Sequence, residues 1–131
     1  MSRIDLTCCV IFSACLDHRT DSENEQATAE VANYLTARDI PFEVAQGCYR
    51  GSKEESFVVQ EAVWDTDPNL RSIVFGDHEQ ECVLTVANGV AELEFEDYFE
   101  PIGSRLVRHE GSTDDLGNYT IIDGVAWVVE E

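Results

Sequence analysis

The sequence predicts an α+β fold, a ferredoxin-like βαββαβ sandwich with additional C-terminal antiparallel strands. The first observation is the order of its segments, which read strand, helix, strand, strand, helix, strand, as in a split βαβ unit. The second is the run of short strand-like segments and turns that follows Pro101. The 131 residues are a usual size for one core, so we expect a single domain over residues 1–131.

The N-terminal part predicts a buried strand and an amphipathic helix. Residues 4–14 are apolar almost throughout, as expected of a central strand buried on both faces. Ser22 and Glu25 have the spacing of a capping box, which predicts a helix start. Pro41 disfavours helical geometry at the residue before it, so this helix should end near Asp39.

The middle of the chain predicts two more strands and a short helix. Residues 42–46 and 57–63 are rich in β-branched and aromatic side chains, which favour strands. Asp67 and Pro68 are suited to cap and begin a helix, and Gly76 can close it in a left-handed conformation.

The C-terminal part predicts antiparallel hairpins. Residues 81–87 and 90–96 flank Asn88-Gly89, a strong hairpin signal. In the second of these strands Glu92, Glu94 and Glu96 alternate with apolar residues, so we expect the acidic side to face water. Further strands are predicted at residues 105–108, 119–122 and 125–129, with a turn at Asp123-Gly124.

The charge balance limits the choice of partners. The net charge is −19, from 27 acidic and 8 basic residues. This field repels phosphates, so we expect no nucleic-acid binding. It is compatible with ordinary solubility, with adaptation to high salt, or with mimicry of DNA. No apolar run is long enough for a membrane span, and the N-terminus lacks a signal-peptide pattern, so we expect a cytoplasmic protein without membrane contact.

The cysteines and histidines do not predict a metal site. The five cysteines (Cys8, Cys9, Cys15, Cys48, Cys82) form no Cys-x-x-Cys pair and are expected to be buried reduced thiols. His18, His78 and His109 are scattered without the spacing of metal ligands, so we expect none.

Residues 47–56 carry the densest polar chemistry in the sequence. Two glycines, an aromatic hydroxyl, a guanidinium and adjacent carboxylates lie here between two predicted strands, which favours an active-site loop. The candidate residues are Gly47, Cys48, Tyr49, Arg50, Glu54 and Glu55. The ordinary alternative is a solvated hairpin loop.

Three motifs in order carry a family resemblance: Gly-Cys-Tyr-Arg at residues 47–50, the Glu54-Glu55 pair, and Glu-Gln-Glu-Cys-Val-Leu at residues 79–84. Weaker similarity lies at residues 10–14 and from residue 119 to Trp127. With these motifs the chain resembles the phage-encoded S-adenosylmethionine lyases, formerly called hydrolases.

The resemblance implies a homotrimer with substrate bound between subunits and an anti-restriction role in phage. It implies cleavage of S-adenosylmethionine to 5′-methylthioadenosine and L-homoserine lactone without metal or cofactor. The key carboxylate corresponds to Glu55 and the site tyrosine to Tyr49. Arg50, Glu54, Cys48 and Gly47 are the expected substrate-binding neighbours.

The residues alone leave alternatives open. Glu55 could anchor the substrate ammonium, or activate a water, which would make the enzyme a hydrolase. Arg50 could meet the substrate carboxylate or pair with Glu54. Cys48 lacks an identifiable histidine partner and is a weak nucleophile. An acidic DNA mimic that inhibits restriction, or a non-catalytic trimeric nucleotide-binding sensor, would be a different class of protein.

Overall fold

A closed antiparallel barrel of eight strands forms the body of the protein. The computed structural model describes residues 4–16, 18–49, 52–96, 98–112, 119–122 and 124–130, without the side chains of residues 49, 52, 53, 99–104 and 130. The strands are β1 (Cys9–Ser13), β2 (Glu43–Tyr49), β3 (Ser52–Gln60), β4 (Val83–Ala87), β5 (Val90–Glu94), β6 (Phe99–His109), β7 (Tyr119–Ile122) and β8 (Val125–Glu130). Around the barrel they follow the order β1-β3-β2-β7-β8-β6-β5-β4.

Helices occupy the two connections that join β1 to β2 and β3 to β4. The first is α1 (Asp21–Ala37); the second contains α2 (Glu61–Thr66), α3 (Pro68–Ser72) and a π-helical turn (Ile73–Asp77). None of the helices in the described part of the chain is long and apolar enough to span a membrane.

The prediction of a ferredoxin-like sandwich with additional strands is wrong. Such a sheet has two free edges, whereas here β2 pairs with β7 and β4 pairs with β5. Strands β8 and β6 complete the ring between them. The C-terminal strands are therefore integral to the barrel. An open antiparallel sheet and a closed one have the same alternation of apolar residues and the same turn signals, so the sequence pattern does not distinguish them. Closure is favourable because it pairs the backbone groups that would be exposed at the two edges.

The strand residues face two separate apolar clusters. The barrel interior is lined by Ile4, Cys9, Ile11, Ala45, Val58, Val86, Ala91 and Ile122. The helix-covered face buries the alternate residues Val10, Phe12, Phe57, Val59 and Val83 against the helices. On that face Phe12 lies 5.6 Å from Phe57 and 5.7 Å from Trp64, between ring centroids.

Helix α1 begins earlier than the sequence pattern predicted. Thr20 is its N-cap: its hydroxyl accepts a hydrogen bond from the Glu23 amide at 3.1 Å, and the Glu23 carboxylate accepts one from the Thr20 amide at 3.0 Å. The prediction of a capping box at Ser22 and Glu25 is therefore wrong. Both pairs have the same three-residue spacing, so the pattern alone fits either position.

Strand β1 is shorter than the predicted strand over residues 4–14. The Asp5 carboxylate accepts hydrogen bonds from the amide and hydroxyl of Thr7, at 2.9 and 2.7 Å, and so forms a turn before the strand. Local side-chain bonding of this kind competes with strand pairing. The apolar character of residues 4–8 reflects packing of Ile4 and Leu6 against the barrel interior.

The segment after β3 also differs from prediction. The predicted strand over residues 57–63 ends at Gln60, and Glu61 begins α2. Asp67 caps α3 as predicted, since its carboxylate accepts from the Leu70 amide at 3.1 Å and Pro68 is the first helical residue. Gly76, however, lies within the π-helical turn, and Glu79 is the left-handed residue that follows, with φ 48°.

The β4–β5 hairpin is confirmed, and Glu96 is exposed as predicted, but the exposure predicted for Glu94 is wrong. Asn88 and Gly89 adopt φ of 51° and 78°, as the tight turn requires. Glu94 is only 2% exposed, because α2 and α3 cover it. Its carboxylate accepts from the Trp64 indole at 3.0 Å and the Thr85 hydroxyl at 3.3 Å, and pairs with Arg71.

Replacing Glu94 by alanine should destabilise the protein by about 3 kcal/mol, because it leaves the buried Trp64 indole and Thr85 hydroxyl without their hydrogen-bond acceptor. Urea unfolding followed by circular dichroism measures this effect. Glu96→Ala, at an exposed position two residues on, is the control and should change the free energy of unfolding by less than about 0.5 kcal/mol. Equal effects of the two substitutions would contradict the buried role of Glu94.

Candidate functional site

The predicted polar loop is mostly strand. Residues 43–49 form β2 and residues 52–60 form β3, so the prediction of a loop over residues 47–56 is wrong. Only residues 50 and 51 separate the strands, and both lie outside the described residues. Strand pairing propagates almost to the turn, with Tyr49 opposite Ser52. Gly47, Cys48, Glu54 and Glu55 therefore lie on two paired strands.

Several strand ends meet at this end of the barrel, which we call the site end. It comprises the end of β2, the start of β3, the end of β1 and the starts of β4 and β7. Ser13 pairs with Ser56, and Cys48 pairs with Tyr119. The motifs that are distant in sequence thus converge through antiparallel pairing.

The two adjacent carboxylates point to opposite faces of the sheet. Glu54 pairs with Gly47 and alternates with Ser56 and Val58, so it faces the barrel interior. Glu55 pairs with Gln46, lies on the outer face and is exposed. The two carboxylates of one chain therefore do not share a single pocket.

The barrel interior becomes polar near the site end. Ser13, Ser56 and Thr120 are buried there, next to Gly47. A Cβ atom at Gly47 would lie 2.7 Å from the Ser56 hydroxyl oxygen, which is closer than van der Waals contact allows. Glycine at this position lets the two strands and their polar groups pack closely.

The Ser13 hydroxyl connects β1 to the backbone of Glu55. It donates to the Glu55 carbonyl at 3.0 Å and accepts from the Cys15 amide, also at 3.0 Å. The Gln80 side chain then donates to the Cys15 carbonyl at 2.9 Å. These bonds join Glu55 to the segment that precedes β4.

A buried histidine lies beside this segment. Arg19 Nη1 lies 3.4 Å from His78 Nδ1, and the same guanidinium donates to the carbonyls of Ala14 and Asp77. Because an arginine N–H can only donate, Nδ1 of His78 accepts and its imidazole is neutral. Burial, and after it the Arg19 charge, lowers the pKa of His78 from its usual 6.5.

The cysteines differ in burial. Cys9 and Cys48 are buried, whereas Cys8, Cys15 and Cys82 are half-buried. Burial raises the pKa of the Cys9 thiol to about 12, which keeps it protonated and unreactive. Cys48 lies on the outer face beside Tyr119, which is also buried.

The structure brings most of the predicted residues together but does not describe all of them. Gly47, Cys48, Glu54 and Glu55 lie on the β2–β3 hairpin. The backbone of Tyr49 belongs to the same hairpin, whereas its side chain, and Arg50 entirely, lie outside the described residues. In the described ranges no group of three or more His, Cys, Asp or Glu side chains is arranged to hold a metal ion.

Sequence analysis did not identify Ser13, Gln80 or His78 as site residues. Gln80 belongs to the motif at residues 79–84, which was a usable signal. Ser13 lies in the weaker similarity at residues 10–14, which was a fainter signal, and His78 has no patterned neighbour, so it gave none.

A comparison with protein families gives one match. The model of the S-adenosylmethionine lyase family matches residues 10–130. No curated protein matches the chain. The matched range runs from β1 into β8 and contains every candidate residue of the hairpin.

Gly47→Ala should destabilise the fold by about 1 to 3 kcal/mol, because the new methyl group overlaps the Ser56 hydroxyl in a packed interior. The double variant Gly47→Ala with Ser56→Ala removes the overlapping atom and should recover part of that loss. Thermal unfolding of the wild type and the two variants measures both effects. A Gly47→Ala protein as stable as the wild type would contradict the close packing of this pair.

Stability should decrease as the pH falls through about 6.5, the ordinary histidine pKa. The unfolded chain takes up a proton on His78 there, while burial keeps the folded imidazole neutral to lower pH, so protonation favours unfolding. Urea unfolding between about pH 7 and 5.5 should show a shallower pH dependence for His78→Gln. Identical slopes in the wild type and His78→Gln would contradict this assignment.

Proposed function

Because the chain belongs to the S-adenosylmethionine lyase family, we propose that it cleaves S-adenosylmethionine to 5′-methylthioadenosine and L-homoserine lactone. The observation that carries the proposal is the family match, which covers nearly the whole barrel, from residue 10 to residue 130. The convergence of the 47–50, 54–55 and 79–84 motifs at the site end supports it.

The reaction needs little from the protein beyond positioning. A carboxylate oxygen of the substrate attacks its own γ-carbon, and the bond from that carbon to sulfur breaks. Sulfur takes the bonding pair and leaves as a neutral thioether, so no proton moves and no cofactor is required in this proposal. Holding the reacting atoms in near-attack geometry is worth up to about 7 to 11 kcal/mol in the best intramolecular cases.

Glu55 is the proposed catalytic carboxylate. Its exposed, outward-facing side chain is free of the barrel interior and can bind the substrate ammonium, which leaves the substrate carboxylate to attack. Tyr49 is proposed to offer a hydroxyl and an aromatic face to the sulfonium. Arg50, Glu54, Cys48 and Gly47 remain the proposed substrate-binding neighbours.

The proposed assembly is a homotrimer with substrate between subunits. The apolar cluster beneath the helices draws its strand residues from β1, β3 and β4, and the outer face of β2, β7, β8 and β6 carries further apolar side chains. These are Val44, Val107, Ile121, Ala126 and Val128. Val44 is 55% exposed in the single chain. Glu55 lies on the same outer face, because it pairs with Gln46 of β2. Burial of this face between subunits would therefore bring a neighbouring chain close to Glu55.

The acidic surface suits the proposed substrate. With a net charge of −19, the protein attracts a cation over distances of about a Debye length, roughly 8 Å at physiological salt. A phage-encoded enzyme of this kind would act in the host cytoplasm, where it would remove the methyl donor and cofactor of restriction systems. That anti-restriction role is part of the proposal.

The test compares Glu55→Gln with Glu54→Gln during incubation with S-adenosylmethionine, with products identified by mass spectrometry. We expect the wild type to form methylthioadenosine and the lactone, and Glu55→Gln to lose at least about 100-fold in kcat/KM, the scale of a mispositioned reactant. Glu54→Gln, an isosteric change on the opposite face, should lose less. Light scattering must show the same oligomer for all three proteins.

Other outcomes identify a different function. Binding of S-adenosylmethionine without turnover, in low and high salt, would indicate a sensor. Absence of both binding and turnover would favour an acidic mimic that inhibits restriction. A greater loss of kcat/KM in Glu54→Gln than in Glu55→Gln would indicate that the reaction takes place in the barrel interior.

A further inference from the structure

We propose that Ser13 is a positioning residue that fixes the peptide of Glu55, and that Gln80 holds the segment at Cys15 that orients Ser13. This inference rests on the proposed function, in which Glu55 binds the substrate. It gives a physical role to two sequence motifs, at residues 10–14 and 79–84, that contribute no proposed reacting group.

Ser13 replaces strand pairing at the point where β1 ends. The ladder between β1 and β3 runs from Cys9 opposite Gln60 to Ser13 opposite Ser56. Glu55 is the next residue towards the site end, and β1 offers it no further backbone partner in that ladder. The Ser13 hydroxyl extends the pairing by donating to the Glu55 carbonyl at 3.0 Å.

The Ser13 side chain is held so that its hydroxyl has one orientation. It is only 4% exposed, and its oxygen accepts from the Cys15 amide at 3.0 Å. With that lone pair engaged by Cys15, the hydroxyl proton is directed to Glu55. The hydroxyl therefore acts through the backbone and is not placed to act as a nucleophile.

Gln80 completes the connection from the other side. Its amide group donates to the carbonyls of Cys15 and His78, at 2.9 and 3.2 Å. Its backbone amide donates to the Val74 carbonyl at 3.1 Å, which anchors it to the π-helical turn. A path of hydrogen bonds thus runs from the helices through Gln80, Cys15 and Ser13 to Glu55.

The consequence is that the orientation of Glu55 depends on this path. On its other side Glu55 is paired with Gln46 of β2, near the end of the hairpin. Loss of the Ser13 bond would leave the Glu55 peptide tied to β2 alone and free to twist. Because the carboxylate lies several bonds from the peptide, a small twist would displace it by a fraction of an ångström or more.

The kinetic test uses Ser13→Ala, Ser13→Thr and the control Thr85→Val. Thr85 is also a buried hydroxyl, but it donates to Glu94 and is not part of the hydrogen-bond path from Gln80 to Glu55. We expect Ser13→Ala to lower kcat about 10- to 100-fold, as misplaced groups do, while its KM changes less. Ser13→Thr, which keeps the hydroxyl, should recover most of kcat, and Thr85→Val should keep the wild-type kcat.

A second measurement does not depend on activity. Amide hydrogen exchange should be faster over residues 52–60 in Ser13→Ala than in the wild type, and unchanged there in Thr85→Val. If the wild type has no turnover, the proposed function fails while this exchange pattern still tests the positioning role. Unchanged exchange in Ser13→Ala, or equal kcat losses in Ser13→Ala and Thr85→Val, would overturn the inference.

Gln80 is tested through a double-mutant cycle with Ser13. Gln80→Leu should lower kcat by a smaller factor than Ser13→Ala, because it acts one step further from Glu55. Combined with Ser13→Ala it should add little, since both changes break the same path. Fully multiplicative effects on kcat would show two independent actions and would overturn the assigned path.

Discussion

The register between β1 and β3 is the constraint on which the rest of the structure depends. It sets Val10 and Phe12 beside Val59 and Phe57 under the helices, and turns Cys9, Ile11 and Val58 into the barrel. A slip of one residue would exchange every one of these faces. It would also separate Ser13 from the carbonyl of Glu55. Folding and the geometry of the site thus depend on the same pairing.

Closure of the barrel gives this register its rigidity. Both neighbours of β1 are strands, and β2 is held between β3 and β7. The hairpin that carries the candidate residues therefore has few ways to move as a unit, which suits a reaction that needs positioning more than proton transfer. On the other side of β1 lies β4, which pairs with β5. Glu94 of β5 is buried and pairs with Arg71 of α3, and this ion pair holds the second helical connection against these strands. Since Gln80 follows that connection, its position depends indirectly on the same anchoring.

Local patterns predicted many elements, but not how the elements close. The Asn88-Gly89 turn and the Asp67-Pro68 helix start were readable because glycine, asparagine and proline restrict the backbone directly. The barrel was not readable, since edge pairing between β2 and β7 leaves no local signature. Glu94 was misassigned because alternation reports which face a residue is on. It does not report whether a helix covers that face.

At the site too, local motifs predicted some features, whereas features that depend on strand pairing were missed. The motifs at residues 47–50 and 54–55 carried a family resemblance, and the family match over residues 10–130 confirms it. The sequence did not predict that Glu54 and Glu55 diverge, because the whole segment was interpreted as a loop, where alternation does not apply. Ser13 was missed because its role is a bond to a backbone carbonyl 42 residues away in sequence, which only the strand register creates.

The origin of the oxygen on the γ-carbon of the product tests intramolecular attack most directly. Turnover in ¹⁸O-labelled water, followed by mass spectrometric fragmentation of the four-carbon product, locates that atom. If the substrate carboxylate attacks, the lactone carries no label, and any homoserine formed by its later hydrolysis carries label in the carboxyl group alone. Label on the γ-hydroxyl oxygen would mean that water attacks the γ-carbon, and would contradict the lyase mechanism.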